Sequence, residues 1–267
     1  MRCALVLAAL PLVVAACGGG GGSGLPPSST HAATPLAFVQ ASAKKTAAAT
    51  SEHLDMVVSA SVQGQKVKVT GNGDFDNTKR LGSVVAHAAV QGVDLEIDEV
   101  LSGSFLYMKS PFFAAMLPKG KTWLKLDLAK AAKTKGIDFD SLISQDPSRN
   151  FTELQASGDA VKVGDETIDN RPTTHYRGHV DISKIPQGEK IQKTTGVKYG
   201  PYDVWIGKDD GLVHRLVTSY SYDVGGQRQT ANLTMNFSDF GNAVNVQVPA
   251  AADVADVSQQ NLGALGG

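Results

Sequence analysis

The chain has 267 residues with 25 basic and 26 acidic side chains, so its formal net charge is only −1. Nucleic-acid-binding domains concentrate Lys and Arg in a basic stripe, and this sequence has no such stripe. We therefore expect no nucleic-acid partner, and we expect a chain of this length to bury a sizeable core.

The first residues have the pattern of an export signal. Arg2 gives a positive start, and residues 4–16 are uncharged and apolar. This run is shorter than the about 20 apolar residues that a transmembrane helix needs, but it fits the apolar part of a signal peptide. Val14-Ala15-Ala16-Cys17 is similar to the lipoprotein box of bacteria, in which cleavage makes the cysteine the new N-terminus. We predict a lipoprotein signal peptide over residues 1–17; a plain secretory signal with a chance cysteine is the alternative.

Residues 18–34 are mostly Gly, Ser, Pro and Ala, which predicts a flexible tether. A tether of this composition reaches roughly 20–25 Å. The chain has 2 cysteines, Cys3 and Cys17. If Cys3 is removed and Cys17 is acylated, the folded part has no disulfide, so its stability must come from an ordinary core.

The next segment predicts a helix over residues 35–49. Thr34 is a suitable N-cap and Pro35 suits the first turn. Apolar side chains then recur at helical spacing along one face of the segment, at Leu36, Val39, Ala43 and Ala47.

After His53 the apolar side chains alternate with polar ones, which indicates strands. Leu54, Met56 and Val58 lie on one side of the first strand, and Val67 and Val69 lie on one side of the next. A turn at Gly64-Gln65 makes this pair a hairpin. Similar strand patterns occupy residues 80–90, 93–101, 104–109, 123–128, 160–168, 173–182, 203–206, 212–224 and 228–240.

Residues 126–157 differ from this pattern and predict two or three short helices. Strands and helices do not alternate, so the sheet should be antiparallel. We predict a mainly β (α+β) fold: a curved antiparallel half-barrel of about eleven strands whose apolar concave face is covered by helices. The expected single domain is residues 35–249, and residues 250–267 are expected to form a flexible tail.

The sequence offers little for catalysis. His175 and His179 are four residues apart on a predicted strand, about 13 Å, which is too far for both to bind one zinc ion. Ser42-Ala43-Lys44-Lys45 matches S-x-x-K, but the companion motifs of the penicillin-binding enzymes are missing. We expect no enzyme activity, no metal site and no cofactor.

An aromatic segment over residues 105–118 stands out. Tyr107, Phe112, Phe113 and Met116 lie in it, and Pro111 and Pro118 prevent one long strand. Such a segment can form an adaptable lip at the mouth of an apolar pocket. The alternative is that it packs into the core as a strand followed by one helical turn.

The chain resembles the actinobacterial lipoproteins of the LppX/LprG type, which have a LolA/LolB-like fold. Besides the lipoprotein box and tether, the stretches that carry this resemblance are Tyr107-Met108-Lys109, Leu117–Asp127, Val163–Ile168, Thr173–Tyr176 and Val204-Trp205-Ile206. Asn170 stands where the family often has glycine, a departure confined to a turn. The resemblance implies lipidation of Cys17 with diacylglycerol and acyl chains such as palmitate, and a half-barrel with an apolar cavity for the acyl chains of a lipid or lipoglycan.

The resemblance further implies a monomeric lipid carrier on the extracytoplasmic face of the cell membrane, held there by its acyl anchor; whether a transporter is a partner stays open. An envelope sensor or protein-interaction module that binds a peptide, and a structural lipoprotein with a filled interior, are the alternatives. The strand side chains expected to line the cavity are Leu54, Met56, Val58, Val67 and Val69, with Tyr107, Phe112, Phe113 and Met116 near its mouth. A shift of one residue in register would turn each strand residue to the other face.

Overall fold

Strands make up most of the computed structural model, which describes residues 34–62, 65–90, 93–130, 148–185, 188–224 and 227–258. The chain separates into residues 1–32 and residues 33–267, and every described residue lies in the second unit. The helices are α1 (Pro35–Ala47), α2 (Ser148–Gln155) and α3 (Gly188–Thr195). The strands are β1 (Ser51–Val62), β2 (Gln65–Asp76), β3 (Leu81–Val90), β4 (Val93–Ser102), β5 (Phe105–Lys109), β6 (Trp123–Asp127), β7 (Ser157–Ile168), β8 (Arg171–Asp181), β9 (Tyr199–Gly207), β10 (Val213–Val224), β11 (Gln227–Ser238) and β12 (Val254–Asp256).

These strands form one open, curved sheet in the order β12-β6-β5-β4-β3-β2-β1-β11-β10-β9-β8-β7. Strands that neighbour each other in the sheet are antiparallel, except that β12 runs parallel to β6. The pairing of β1 with β11 joins the strands from the two halves of the chain. The predicted curved antiparallel sheet is confirmed, with one more strand than the expected number.

The additional strand β12 corrects the predicted flexible tail for residues 250–258; the rest of that prediction, residues 259–267, lies outside the described residues. Ala255 and Val257 are buried, and the backbone N–H of Val257 donates to the carbonyl of Lys125 at 3.0 Å. Small apolar side chains that pack against β6 therefore give this short segment a place at the edge of the sheet. The sequence contains too few large apolar residues there for the pattern to have been seen.

The hairpin between β7 and β8 turns at Asp169 and Asn170, where the resemblance noted in the sequence leads to the expectation of a glycine. Asp169 and Asn170 both have positive φ, 49° and 62°. Asn and Asp tolerate this region better than other non-glycine residues, so the departure at Asn170 leaves the turn intact.

Helix α1 forms as the sequence predicts and ends two residues early. The Thr34 hydroxyl accepts a hydrogen bond from the N–H of Ala37 at 3.2 Å, and Pro35 opens the first turn. Val39 and Ala43 are fully buried, so the apolar side of α1 faces the sheet. We call this side of the sheet the inner face and the opposite side the outer face.

The Thr46 hydroxyl attaches α1 to β10. The buried Thr46 hydroxyl donates to the carbonyl of Ser42 at 2.8 Å and accepts from the N–H of Val213 at 2.9 Å. Because the Val213 N–H stands at the start of β10, this contact fixes the end of the helix against the sheet.

Helix α2 completes the cover over the same part of the inner face. Phe151 and Leu154 are buried, and the Phe151 ring lies 4.7 Å from that of Phe237 in β11. This helix falls within the predicted helical region 126–157, of which residues 131–147 lie outside the described residues. Helix α3 was not predicted because its sequence, GEKIQKTT, has few apolar side chains.

The outer face carries polar side chains that pair with one another. His53 in β1 places Nδ1 2.7 Å from Oδ1 of Asp74 in β2, and its Nε2 lies 3.6 Å from Asp55. Partial burial lowers the pKa of His53, but the hydrogen bond to Asp74 and the charges of Asp74, Asp55 and Asp239 outweigh it, so the pKa lies above 6.5. The protonated form is therefore favoured by folding.

The Thr46 contact predicts that Thr46→Val destabilises the fold by about 1–3 kcal/mol, because the buried N–H of Val213 would lose its acceptor. Urea denaturation monitored by circular dichroism measures this change. Thr46→Ser keeps the hydroxyl and should lose less stability. A Thr46→Val protein as stable as the wild type would show that the hydroxyl does not hold α1 in place.

The His53 pair predicts a pH dependence. Because the folded pKa is raised, the stabilisation by His53 is fully present below about pH 6.5 and is lost as the pH rises through the folded pKa. An NMR titration of the imidazole should give a midpoint above 6.5, and Asp74→Asn should lower that midpoint. An unchanged midpoint in Asp74→Asn would contradict the assigned pair.

Candidate functional site

The inner face is continuous across the middle of the sheet because of the strand register. Residues that pair directly in neighbouring antiparallel strands project to the same side. Their pairing builds three inner-face rows across β2, β1 and β11: Val69, Val58 and Leu233; Gly71, Met56 and Met235; Gly73, Leu54 and Phe237. The inner face is therefore apolar across three strands.

One end of the inner face is filled. Leu54, Phe75 and Phe237 are buried there, below Val39 of α1 and Phe151 of α2. The main contacts of α1 are with α2, β7 and β10. These helices and the sheet make a packed core in which apolar side chains touch on all sides.

The other end of the inner face is apolar and only half-buried. We call this region the inner band. Its side chains come from β1, β2, β3, β4 and β11, and they are Met56, Val58, Ala60, Val67, Val69, Ala88, Leu95, Ile97 and Leu233. Apolar side chains that share a face but stay half-exposed provide the kind of surface that apolar ligands occupy.

Beside the inner band, the inner face has residues with small side chains or none. Gly71 and Gly73 of β2 face the inner side and are buried, next to Ala86 of β3. A Cβ on Gly71 would lie 2.8 Å from Cε of Met56, so the Met56 side chain occupies the space over the glycine. A Cβ on Gly73 would lie 2.0 Å from the Ser83 carbonyl oxygen, so only glycine fits there.

The structure brings together the five strand residues that the sequence placed in one cavity. Leu54 lies at the filled end, while Met56, Val58, Val67 and Val69 belong to the inner band. All five project from the same face, so the alternation in the sequence gave them a common side. Whether they contact a bound molecule stays a prediction.

The structure separates Tyr107 from this group. Tyr107 pairs with Val100 in β4 and Lys125 in β6. This register places its side chain on the outer face of the sheet, and the residue is buried there. Its neighbour Leu106 instead packs with Leu126 and Leu128 in a second small core. In a strand of alternating side chains, Tyr107 and Leu106 cannot share a face.

Phe112 and Phe113 lie on a short 3₁₀ helix, Pro111–Met116, that follows β5. Their rings meet edge to face at 5.5 Å, and Phe112 is 58% exposed. A cleft of about 340 Å³ beside this helix is lined in part by Asp98 and Lys109, which form an ion pair at 3.0 Å. The segment thus has the strand and helical turn of the alternative interpretation, but the exposed Phe112 does not pack into the core as that interpretation expected. The Met116 side chain lies outside the described residues.

Sequence reasoning missed the inner-band residues of β4 and β11, chiefly Leu95, Ile97 and Leu233. The signal was present, since each strand alternates apolar and polar residues. What the sequence did not contain was the pairing of β1 with β11, which places Leu233 beside Val58.

The histidines noted in the sequence serve the outer face. His175 has Nδ1 2.9 Å from Glu166 Oε1 and Nε2 2.6 Å from Asp203 Oδ1, and its ring stacks on Trp205 at 4.1 Å. Hydrogen bonds from the Trp205 indole and then from His175 lower the pKa of Glu166. Both ring nitrogens are occupied by carboxylates, so His175 acts as a link between β7, β8 and β9.

The described residues form neither a metal-ion cluster nor a helix that could span a membrane. Among residues 34–258, excluding the undescribed gaps, no group of three or more His, Cys, Asp or Glu side chains is placed to hold a metal ion. In the same part of the chain, no helix has the length and apolar character needed to cross a membrane.

Comparisons with known proteins agree with this architecture. The family model of the LppX_LprAFG lipoproteins matches residues 33–246. The lipoarabinomannan carrier protein LprG of Mycolicibacterium smegmatis is 27% identical over 218 residues, covering 80% of this chain and 83% of the relative. A 31.2 kDa protein of Streptomyces griseus, from the rplA-rplJ intergenic region, is 29% identical over 177 residues, which cover 57% of this chain and 56% of that relative. The match thus spans little more than half of the length of the Streptomyces protein.

Among solved structures, the crystal structure of LprF from Mycobacterium bovis is similar, with a TM-score of 0.51 and 18% identity over 81% of this chain and 97% of that one. At this identity the likeness concerns the fold alone. The match of the family model over most of the chain shows more: the chain belongs to the LppX_LprAFG lipoprotein family.

Proposed function

We propose that this lipoprotein binds the acyl chains of a lipid or lipoglycan along the inner band and carries them across the cell envelope, without catalysing a reaction. The observation that carries the proposal is the inner band itself, an apolar surface that stays half-buried beside a packed core. The shared face of Met56, Val58, Val67 and Val69 supports it.

The energetics suit this role. Burial of an acyl chain contributes about 0.8 kcal/mol per CH₂ group, so a chain along the inner band would be held by contact alone. No nucleophile or acid–base pair is needed for such binding.

The relatives support the same class of ligand. LprG, which matches over 80% of this chain, is named a lipoarabinomannan carrier.

We also propose that Cys17 is the site of lipidation and that residues 18–34 tether the domain to the extracytoplasmic face of the membrane. The sequence Val14-Ala15-Ala16-Cys17 supports this proposal, together with membership in a lipoprotein family. A tether of roughly 20–25 Å would let the domain turn above the lipid headgroups.

The proposal predicts that Val58→Trp reduces the lipid recovered with the protein severalfold, because the indole would occupy the inner band. The measurement is mass spectrometry of the lipid extracted from protein purified from an actinobacterial host, expressed per mole of protein. Val57→Trp is the matched control, since Val57 is also half-buried but projects from the outer face.

Equal loss of lipid in the Val57 and Val58 variants, with both folded by circular dichroism, would contradict binding at the inner band. Wild-type protein that carries no lipid while a peptide copurifies would instead favour an interaction module of the same fold.

A further prediction concerns the anchor. Cys17→Ala should leave the precursor unprocessed or release the protein into the medium, because position 17 would have no thiol to take the diacylglycerol. Membrane fractionation and the mass of the intact protein measure both outcomes. A variant that stays on the membrane with an unchanged mature mass would show that Cys17 is not the anchor.

A further inference from the structure

A second cleft lies on the outer face, where β7, β8 and β9 come together. Its volume is about 710 Å³, within the about 300–1,000 Å³ that is typical of small-molecule sites. We call it the outer cleft, and its main lining side chains are Asp159, His179, Asp181, Lys184, Tyr199 and Pro201.

The strand register separates the outer cleft from the inner band. His179 follows His175 by four residues in β8, so both project from the outer face. His179 pairs with Asp159 in β7 and with Pro201 in β9. A molecule in this cleft and an acyl chain on the inner band would therefore lie on opposite sides of the sheet.

Tyr199 gives the outer cleft a flat apolar wall. Tyr199 is 61% exposed, and no aromatic ring in the described part of the chain packs against its ring. Trp205, on the same strand and the same face, is different: His175 stacks on its ring, and the Arg215 guanidinium lies 5.9 Å from the ring centre. Tyr199 thus has a ring face that is open to a ligand.

The polar groups of the outer cleft are held in place by the protein. His179 Nδ1 lies 3.1 Å from both carboxylate oxygens of Asp159. Asp181 Oδ1 accepts hydrogen bonds from the hydroxyl and the backbone N–H of Ser183, at 2.7 and 3.0 Å. These bonds lower the pKa of Asp181, so its carboxylate stays ionised at neutral pH. Groups oriented before a ligand arrives lose little entropy on binding.

The charges of the outer cleft restrict its ligand class. Two carboxylates face one ammonium group, on Lys184, and one imidazole, so the cleft has no excess of positive charge to attract a phosphate. Saccharide hydroxyls both donate and accept hydrogen bonds, and the C–H face of a sugar ring can pack on the electron-rich face of an aromatic ring.

We propose that the outer cleft binds a neutral oligosaccharide, with Tyr199 as the stacking surface and Asp159, His179 and Asp181 as hydrogen-bonding partners of its hydroxyl groups. This binding is independent of the proposed lipid carriage, because the two surfaces share no residue. The two proposals can therefore fail separately.

NMR titration of the purified full chain with maltotriose, mannotriose and chitotriose tests the proposal. At least one trisaccharide should shift the Tyr199 and His179 resonances saturably, with a dissociation constant in the millimolar range. Tyr199→Ala should weaken that affinity about tenfold, whereas Tyr199→Phe keeps the ring and should stay close to the wild type. Lipid recovered with both variants should be unchanged.

Failure of all three sugars to shift these resonances up to about 20 mM would overturn the proposal. So would equal affinity in the wild type and Tyr199→Ala, because the stacking surface would then play no part. Shifts confined to the inner band would place the sugar on the lipid site instead, and would likewise reject the outer cleft.

Discussion

The structure depends on one constraint: a wide antiparallel sheet with an apolar face must keep that face from water. Helices α1 and α2 meet this need at one end, where Val39 and Phe151 press on Phe237 and its neighbours. They are too short to extend over the whole sheet, since α1 has 13 residues and α2 has 8. The inner band is the part of the apolar face that lies beyond the contacts of α1 and α2. A bound apolar molecule would keep this part of the face from water in the same way.

The pairing of β1 with β11 makes that face continuous. Without it, the strands before α2 and those after it would form two smaller sheets, each with its own apolar side. The register sets Val58 beside Leu233 and Met56 beside Met235, so side chains distant in sequence form common rows. The same register places polar residues such as His53 and Asp55 on the outer face, where His53 pairs with Asp74 of β2 and with Asp55 of its own strand. One hydrogen-bonded ladder thus assigns different chemistry to the two sides.

Much of the site followed from local patterns. Alternation along β1 and β2 placed Met56, Val58, Val67 and Val69 on one side, because successive strand side chains point in opposite directions. The aromatic composition of residues 105–118 suggested a lip at the mouth of the cavity. In the structure this segment is a strand followed by a 3₁₀ helix, and Tyr107 projects from the outer face. Composition describes what a segment contains, while only the partner strands decide which way it faces.

By itself, the sequence determined the strands, the capped helix α1, the predominance of antiparallel pairing and the absence of a recognisable catalytic motif, because these depend on neighbours along the chain. Only the tertiary structure decided the parallel edge strand β12, the filled and half-buried ends of the inner face, and the cleft around Tyr199. These features arise from contacts between residues far apart in sequence, such as Val58 with Leu233 or Asp159 with His179. The free energy of such contacts depends on which strands meet, and no short stretch of sequence contains that information.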